Sequence, residues 1–328
     1  MSRGPLRWGV LGTAGIAESF VRGVRMGDAG TIHAVASRDL SRARAWAERF
    51  AVPLAFGSYD ELLGSGAVDL VYNPLPNSLH AEWTVRALEA GLPVLCEKPL
   101  TVNAAEAREV AAASARTGLA VAEAFMYRFH PVYDRVLETI ASGAIGELVS
   151  ISAQFTFFLD DRAQIAASAK LGGGSLRDVG CYAVNLARRI AGREPVRAMA
   201  MTRGTEVDDT LVGLLEFPGG ILAQVECGIE SHERHRAEIA GTAGSILLAR
   251  PWFPGLDEGR FLLCRGEREE EVVSPGGDGY HLEAMDFVRA VQTRTPPRWP
   301  VADAVANMAA IDALLRSARE GVAVAVNG

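Results

Sequence analysis

The sequence lacks any uninterrupted apolar run of the roughly 20 residues that a membrane-spanning helix needs. It has only four cysteines, and they show neither a CxxC pair nor a Cys/His metal spacing: Cys96, Cys181, Cys227 and Cys264. Isolated cysteines of this kind are typical of reduced thiols in the cytosol. The first stretch, MSRGPLRWGVLGTAGIA, also lacks the apolar centre of a signal peptide, so we expect a cytoplasmic protein.

Positive charge is scarce as well. The chain carries 33 basic residues against 40 acidic ones and has no strongly basic segment, which argues against nucleic acid as a partner. His232, Glu233 and His235 fall on one strand-like segment without a further ligand, so no metal site is predicted. The length of 328 residues suits two domains with sizeable cores.

Apolar strands alternate with amphipathic helices through the first third of the chain. We predict strands in RWGVLG, TIHAVASRD, DLVYNPLP, PVLCEKP and LAVAEAF, with helical segments between them. This alternation indicates a parallel, doubly wound sheet. The sequence therefore predicts an N-terminal Rossmann dinucleotide-binding domain over residues 1–124.

The pattern changes from about residue 145 to short alternating segments joined by Pro-Gly-Gly and Gly-Thr-Ala-Gly turns. Such segments indicate a large, mostly antiparallel sheet with helices on one face. We predict an α+β domain over residues 125–328 that binds substrate, and an α/β fold class for the chain as a whole.

The turn after the first predicted strand reads Gly12-Thr13-Ala14-Gly15-Ile16-Ala17. The dinucleotide fingerprint G-x-G-x-x-G/A uses small residues for the tight turn, for the approach of the pyrophosphate and for helix–strand packing. Ala14 replaces the second glycine, but a strand precedes the motif and a helix follows it. We therefore predict that this turn, from Gly12 to Ile16, binds a dinucleotide cofactor; a glycine-rich turn of some other α/β protein is the alternative.

The second predicted strand ends in Ser37-Arg38, where an NAD-preferring protein usually has an acid for the ribose 2′-hydroxyl. Asp39 comes too late for that role. Arg38 can bind a 2′-phosphate and stack on adenine, and Ser37 can donate a hydrogen bond to the same phosphate. NADP is therefore favoured over NAD, and two solvent-facing loop residues are the alternative reading.

Four stretches of the sequence belong together: GTAGIA, LPNSLHAEWTVRALEAGLPVLCEKPL, AEAFMYRFHP and GGGSLRDVGCY, at 12–17, 75–100, 122–131 and 172–182. In this order and spacing they resemble the Gfo/Idh/MocA oxidoreductases, a family named for glucose–fructose oxidoreductase and inositol dehydrogenase. The resemblance implies a cofactor site lined by Leu75, Asn77 and His80; from the residues alone, His80 could equally be a packing residue at the start of a helix. The resemblance also implies a homodimer or higher homo-oligomer formed through the C-terminal sheet, with the last helix, DAVANMAAIDALLRSAREG, near the domain junction.

Lys98 follows the apolar strand end VLCE and precedes Pro99. Open α/β sheets bind ligands beyond the carboxyl ends of their strands, so we expect Lys98 to face the cleft, where it can donate to a developing alkoxide. Glu97 is expected to contact the nicotinamide ribose or to hold Lys98. A surface lysine beside a turn would show the same local pattern.

A candidate catalytic pair follows the glycines of LGGGSLRDVGCY. In an ideal helix of about 100° per residue, one polar stripe is separate from the apolar stripe that faces the core. Arg177 and Arg188 fall on the outer side of the helix. The polar stripe contains Asp178, Tyr182, Asn185 and Arg189. Ser175-x-x-Asp178 also has the spacing of a capping box, and that reading stays open beside catalysis.

The pair Asp178 and Tyr182 resembles that of the subgroup containing glucose–fructose oxidoreductase, dimeric dihydrodiol dehydrogenase, NADP-dependent xylose dehydrogenase and some sugar ketoreductases. Inositol-dehydrogenase-like members carry histidine where this chain has Tyr182. Free tyrosine has a pKa of about 10, so it needs a nearby cation to act as a base at neutral pH. We expect Tyr182 to take the substrate proton and Lys98 to be that cation. Asp178 would bind substrate hydroxyls and position Lys98.

The sequence thus predicts an NADP-dependent oxidoreductase that transfers a hydride between NADP(H) and a secondary or anomeric hydroxyl of a sugar, polyol or cyclic diol. The alternatives are an NADPH-dependent ketoreductase of a nucleotide-linked deoxysugar, a non-catalytic dinucleotide-binding regulator and an NAD-dependent glycosidase of the same fold. Arg128 and His130, in YRFHP, are expected either to border the nicotinamide or substrate or to form a hydrogen-bond network between domains.

Overall fold

The computed structural model describes residues 4–327, which form two compact units. The first unit contains the described residues up to Thr101, together with Ala105–Met126 and Asp278–Val305. The second contains Val102–Ala104, Tyr127–Gly277 and the described residues from Ala306 onward. The predicted domain limits, 1–124 and 125–328, stay a prediction, and their residues 1–3 and 328 lie outside the described range.

The first stretch of chain alternates strands and helices as the sequence pattern predicted. Its strands are β1 (Arg7–Leu11), β2 (Thr31–Ala36), β3 (Leu54–Phe56), β4 (Leu70–Asn73), β5 (Val94–Glu97) and β6 (Val121–Ala124). Its helices are α1 (Ile16–Val24), α2 (Leu40–Arg49), α3 (Tyr59–Gly64), α4 (Asn77–Glu89) and α5 (Ala104–Thr117). The short pair β3 and α3 was not predicted, because a three-residue strand carries too little apolar pattern.

The six strands form one parallel sheet in the order β3-β2-β1-β4-β5-β6. This is the strand order of the dinucleotide-binding fold, in which the order reverses between β1 and β4 and ligands bind beyond the carboxyl ends of the strands. Strands β4, β5 and β6 are buried along their whole length, as expected where helices cover both faces. The predicted Rossmann fold is therefore confirmed.

The rest of the chain supplies the second sheet and four more helices. Its strands are β7 (Leu148–Phe158), β8 (Arg197–Arg203), β9 (Thr210–Glu216), β10 (Leu222–Gly228), β11 (Glu230–Gly241), β12 (Ser245–Leu248), β13 (Glu258–Arg265), β14 (Arg268–Pro275) and β15 (Val324–Ala325). Its α-helices are α6 (Val132–Ala141), α7 (Cys181–Ala191), α8 (Gly279–Thr293) and α9 (Val301–Glu320). A π-helical turn, Leu176–Gly180, leads directly into α7.

The second sheet has the order β14-β13-β12-β11-β7-β10-β9-β8-β15 within the described range. Neighbouring strands are antiparallel except for β7 and β10, which run parallel. The predicted large, mostly antiparallel sheet and the α/β fold class are confirmed. Strand β14 was missed because it begins with Arg268 and three exposed glutamates, which hide the alternation expected of a half-buried strand.

Aromatic side chains form a continuous column through the core of the first unit. Trp8 of β1 contacts Phe287 of α8 on one side and Phe20 of α1 on the other, with ring centroids 5.8 and 5.0 Å away. Phe20 in turn stacks on Tyr72 of β4 at 3.8 Å. The column holds α1 and α8 on the sheet and ends at a tyrosine near the carboxyl end of β4.

One face of the second sheet exposes large apolar side chains on neighbouring strands: Met199, Met201, Val212, Leu214 and Leu222. The homo-oligomer expected through this sheet stays a prediction, which light scattering of the purified chain would measure. Between residues 4 and 327 no helix is long and apolar enough to cross a membrane.

Candidate active site

The glycine-rich turn joins the carboxyl end of β1 to the first turn of α1. Gly12 has a φ of +89°, and a Cβ on it would lie 3.0 Å from Cδ2 of Leu75, so the turn requires a residue without a side chain. The residue before α1 is Gly15, which has no side chain to cap the first amides of the helix. The positive end of α1 therefore fits a phosphate group, and buried Ala17 packs the helix against the sheet.

The polar residues that follow β2, Ser37, Arg38 and Asp39, have different surroundings. Asp39 caps α2, because its carboxylate accepts hydrogen bonds from the amides of Ser41 at 2.8 Å and Arg42 at 3.4 Å. A hydrogen bond from the Ser41 hydroxyl, followed by these two amide bonds, lowers the pKa of Asp39. An acid committed to a helix cap is not placed as a ribose acceptor, in agreement with the sequence reading. Ser37 is buried, and Arg38 is exposed.

Tyr59 of α3 links Arg38 to the Gly12 turn. Burial raises the pKa of Tyr59, and the charge of Arg38 and its hydrogen bond to the Tyr59 hydroxyl oppose that shift. The same hydroxyl lies 4.0 Å from the position that a Cβ on Gly12 would take. A cation therefore stands close to the carboxyl ends of β1 and β2, where an additional phosphate on the ribose could be bound.

The turn between β4 and α4 is fixed by buried polar contacts. Asn73 donates from Nδ2 to Thr84 Oγ1 at 3.1 Å, and its Oδ1 accepts from the Leu75 amide at 3.3 Å. The Leu75 carbonyl faces Nε2 of His80 at 2.6 Å. Asn77 is the first residue of α4 and is half-buried. Asn73 was not predicted, although a polar residue ending a buried strand is a signal that the sequence offers.

Lys98 lies in a turn whose backbone is held by three buried side chains. Glu97 Oε2 accepts from the Lys98 amide at 3.2 Å, and Glu123 Oε1 accepts from the Leu100 amide at 2.8 Å. Between them, Nδ1 of His80 lies 2.8 Å from the Pro99 carbonyl. The side chains come from β5, β6 and α4, so the path of the backbone at Lys98 is set by three elements at once.

Glu97 is itself held from the neighbouring strand. The Tyr72 hydroxyl donates to Glu97 Oε1 at 2.6 Å, and both side chains are buried. Burial raises the pKa of Glu97, whereas the charge of Lys98 and the hydrogen bond from Tyr72 lower it. Burial also raises the pKa of Tyr72 well above its ordinary value, so the phenol remains a donor. The aromatic column of the core therefore ends on the acid next to Lys98.

Tyr182 lies in the first turn of α7 and is almost fully buried in the second unit. Three aromatic rings surround its own, those of Tyr127, Phe155 and Trp252, with centroids 5.5 to 5.7 Å away. Asn185, one turn further along α7, accepts from the Tyr127 hydroxyl at 2.6 Å. Asp178 is half-buried on the π-helical turn that precedes α7.

The start of this helix differs from the local capping box in the sequence. Ser175 makes no cap hydrogen bond of its own; its hydroxyl donates instead to Asp208 Oδ2 at 3.0 Å. Arg188, expected on the outer side, is buried and forms an ion pair with Glu194 at 2.6 Å. That expectation was wrong because α7 is buried on nearly every side, so its arginine needed a partner inside the fold.

His130 belongs to a hydrogen-bond network inside the second unit. Its Nδ1 accepts from the Val132 amide at 3.1 Å, so Nε2 carries the proton and donates to the Gly255 carbonyl at 2.8 Å. Burial lowers the pKa of His130. Arg128 is buried beside it in a short 3-10 helix. Among residues 4–327, no cluster of three His, Cys, Asp or Glu side chains could hold a metal ion.

Contacts within the first unit link five of the cofactor-site residues selected from the sequence: Gly12, Leu75, His80, Glu97 and Lys98. Their role in cofactor binding stays a prediction. Asp178 and Tyr182 belong to the second unit, and their joint action with Lys98 stays a prediction.

Two family models cover most of the chain. One, described as an oxidoreductase family with an NAD-binding Rossmann fold, matches residues 6–125. The other, described as a GFO/IDH/MocA C-terminal domain, matches residues 133–247. The chain belongs to the Gfo/Idh/MocA oxidoreductase family. The sequence resemblance is thus confirmed, and the Rossmann unit is the NAD(P)-binding part of an oxidoreductase.

Relatives of this family member act on different compounds. D-xylose 1-dehydrogenase (NADP+) 2 of Haloferax volcanii is 40% identical over 326 residues, which cover 97% of this chain and 99% of the relative. Trans-1,2-dihydrobenzene-1,2-diol dehydrogenase of Mus musculus is 36% identical over 81% of this chain and 79% of its own.

Solved structures show the same architecture. A 3-ketoreductase from Actinomadura kijaniata, in complex with NADP and TDP-benzene, superimposes with a TM-score of 0.91 at 32% identity and covers 95% of this chain and 98% of its own. Variants of that ketoreductase with a lysine replaced by alanine or glutamate, or a tyrosine by phenylalanine, have also been solved.

The buried ring of His80 predicts a pH dependence of stability. Burial lowers the pKa of His80 to about 4 from its ordinary 6.5, although its two carbonyl contacts act in the opposite direction. The unfolded chain then binds more protons than the folded chain between these pKa values, so stability falls as the pH is lowered through that window. We expect His80 to account for a loss of about 2 kcal/mol between pH 7 and pH 5.

Urea unfolding of the wild type and of His80→Gln at both pH values measures this effect. Because glutamine does not titrate, the stability advantage of the wild type should shrink by about 2 kcal/mol at pH 5. An equal advantage at both pH values would contradict the expectation.

Proposed function

We propose that this family member is an NADP-dependent oxidoreductase that transfers a hydride between NADP(H) and a CH–OH group of a carbohydrate-like substrate. One observation carries the proposal. The lysine and tyrosine replaced in the A. kijaniata ketoreductase are 84 positions apart in that chain. Lys98 and Tyr182, selected here from the sequence, are also 84 positions apart. The equal spacing supports the same pair of groups in both proteins.

The composition adds to the case for Lys98. The chain has 33 basic residues, but only Lys98 and Lys170 are lysines. All the remaining basic residues are arginines. A lysine at the carboxyl end of β5 is therefore unusual for this chain, which indicates that an ammonium group is needed there. An ammonium is a compact charge that can approach a single oxygen, whereas the planar guanidinium favours bidentate contacts.

In the proposed mechanism each residue has a separate task. When bound, NADP supplies the nicotinamide ring that accepts or returns the hydride. Tyr182 Oη takes the proton from the substrate hydroxyl during oxidation and gives it back during reduction. The ammonium of Lys98 stabilises the phenolate and the developing alkoxide. Asp178 accepts hydrogen bonds from substrate hydroxyls.

The surroundings of Tyr182 suit this role. Its aromatic neighbours, including Phe155 and Trp252, keep water from much of its ring. A phenolate in such surroundings is poorly solvated and needs a cation. The proposed mechanism therefore depends on Lys98 being held in one position by the Glu97, His80 and Glu123 contacts.

The preference for NADP rests on the end of β2. Arg38 provides a cation there, and the nearby acid, Asp39, is used to cap α2. The xylose dehydrogenase of H. volcanii is named for NADP, and the A. kijaniata ketoreductase was solved with it, which supports the same choice here.

A second candidate substrate class is a nucleotide-linked deoxysugar. The A. kijaniata ketoreductase was solved with TDP-benzene, and a protein of that organism named dTDP-3,4-didehydro-2,6-dideoxy-alpha-D-glucose 3-reductase is 33% identical over 96% of this chain. The greater identity to the xylose dehydrogenase favours free sugars as the first class to test.

Replacement of Arg38 tests the cofactor preference. In Arg38→Ala the loss of a charged hydrogen-bond donor should raise the KM for NADP by about 10- to 100-fold. The KM for NAD, which has no 2′-phosphate, should change by less than about threefold. Arg44→Ala, which removes an exposed arginine of the following helix α2, is the matched control. An equal rise for both cofactors would show that Arg38 does not recognise the 2′-phosphate.

Replacement of Tyr182 tests the reaction. NADPH formation is measured with a panel of aldoses, inositols, anhydrosugars and dihydrodiols, and the best substrate is then used with Tyr182→Phe. Loss of the proton acceptor should lower kcat by about 100- to 10,000-fold while NADPH binding is retained. Tyr133→Phe is the matched control, since the Tyr133 hydroxyl donates to the Pro251 carbonyl in the same unit.

Wild-type turnover in Tyr182→Phe would refute the proposed base. Absence of turnover across the panel with intact NADPH binding would instead favour the nucleotide-linked sugar, or a regulator that binds the cofactor without catalysis.

A further inference from the structure

The helix that carries Asp178 and Tyr182 is capped by a residue far away in the sequence. Asp208, in the loop between β8 and β9, accepts from the Leu176 amide at 2.7 Å through Oδ2. Its backbone carbonyl accepts from the Ser175 amide, also at 2.7 Å. Both the main chain and the side chain of Asp208 therefore satisfy donors that the start of a helix leaves without partners.

The glycines before this helix make room for Asp208. Gly174 has a φ of +110°, and a Cβ there would lie 2.1 Å from Asp208 Oδ1. The carboxylate is also held from a second side, because the Ser175 hydroxyl donates to Oδ2 at 3.0 Å and lies 3.3 Å from the sulfur of Cys227. The loop is thus fitted to the helix start by several specific contacts.

The capped segment has an unusual backbone. Leu176–Gly180 is π-helical, and α7 follows without a break at Cys181. A π turn contains one more residue than an α turn between hydrogen-bonded groups, and such turns are frequent at functional sites. Conversion of this turn to α geometry would change the rotation of Asp178 relative to Tyr182, because π and α helices turn by different angles per residue.

We propose that Asp208 is a positioning residue, which holds the Leu176–Gly180 turn in its π-helical register and thereby sets the orientation of Asp178 relative to Tyr182. The role rests on the proposed function, in which Asp178 and Tyr182 act on the substrate. It is specific to Asp208: the neighbouring Asp209 pairs with Arg162 at 2.7 Å and accepts from the Ile229 amide, so it holds the other side of the loop.

Two substitutions at Asp208 separate hydrogen-bond acceptance from charge. Asp208→Ala removes the side-chain acceptor. We expect kcat to fall about 100-fold, because a displacement of about 1 Å at a reacting group has that effect. Asp208→Asn keeps an acceptor oxygen and should retain kcat to within about threefold. NADPH binding should stay unchanged in both variants. Glu206→Ala removes an exposed carboxylate of the same loop and is the matched control.

Hydrogen exchange provides a readout that needs no substrate. In Asp208→Ala, amide protection in the segment 175–180 should fall, while the second half of α7 keeps its protection. If this variant does not fold, Ser175→Ala removes only the hydroxyl bond to Asp208, and a smaller fall in kcat of about three- to tenfold is expected.

The proposal is overturned if exchange in 175–180 is unchanged in Asp208→Ala, if kcat stays within about threefold of the wild type, or if Asp208→Asn is as impaired as Asp208→Ala. Wild-type kcat in Ser175→Ala would overturn it where the alanine variant cannot be studied. If the wild-type protein shows no turnover, the proposed function is contradicted. Hydrogen exchange in 175–180 would still test whether Asp208 holds the π-helical turn.

Discussion

The first unit is organised around the need to satisfy the buried backbone of one turn. Beyond the end of β5, the Lys98 amide, the Pro99 carbonyl and the Leu100 amide must all find partners away from water. Glu97 and Glu123 accept from the two amides, and the His80 ring lies between the Pro99 and Leu75 carbonyls, where its neutral form donates to one of them. The same requirement extends outward, since Tyr72 holds Glu97. A turn held on three sides has little freedom to move, so the position of Lys98 follows from the packing of β5, β6 and α4. Reactive groups must be held within narrow limits for catalysis, and this network restricts the position of the backbone that carries Lys98.

In the second unit, too, backbone amides near candidate reactive residues are bound by a distant carboxylate. The start of the helix that carries Asp178 and Tyr182 exposes amides that no nearby side chain caps, and Asp208 binds them from a distant loop. In both units a carboxylate supplied by another element fixes a backbone segment, and the candidate reactive side chain projects from that segment. The cost of burying each carboxylate is offset by the amide donors around it. Such residues are part of how the protein supports chemistry, although they need not touch the substrate.

The fold could be predicted from the sequence because its signals are local. Alternating strands and helices predicted the parallel sheet, and Gly12-x-Ala14-x-x-Ala17 marked the turn between β1 and α1, whose role in cofactor binding stays a prediction. The clamping roles of Tyr72, Glu123 and Asp208 were not predicted, because each depends on contacts between residues 23 to 33 positions apart that no local pattern encodes. The capping box failed for the same reason: Ser175 had the right spacing, but a better acceptor reached it from another loop. The π-helical turn was missed because stripe geometry assumes a regular α-helix.

The central claim is that the ammonium of Lys98 is needed for turnover and not for the fold or for cofactor binding. Lys98→Met tests it most directly, because methionine keeps an unbranched side chain and removes the charge, and Lys170→Met supplies the same change at the only other lysine. The measurement is kcat with the best substrate, together with NADPH affinity from fluorescence titration. The account predicts that kcat falls by about 100-fold or more in Lys98→Met, with NADPH affinity within about threefold of the wild type and Lys170→Met unaffected. Wild-type turnover in Lys98→Met would contradict the account.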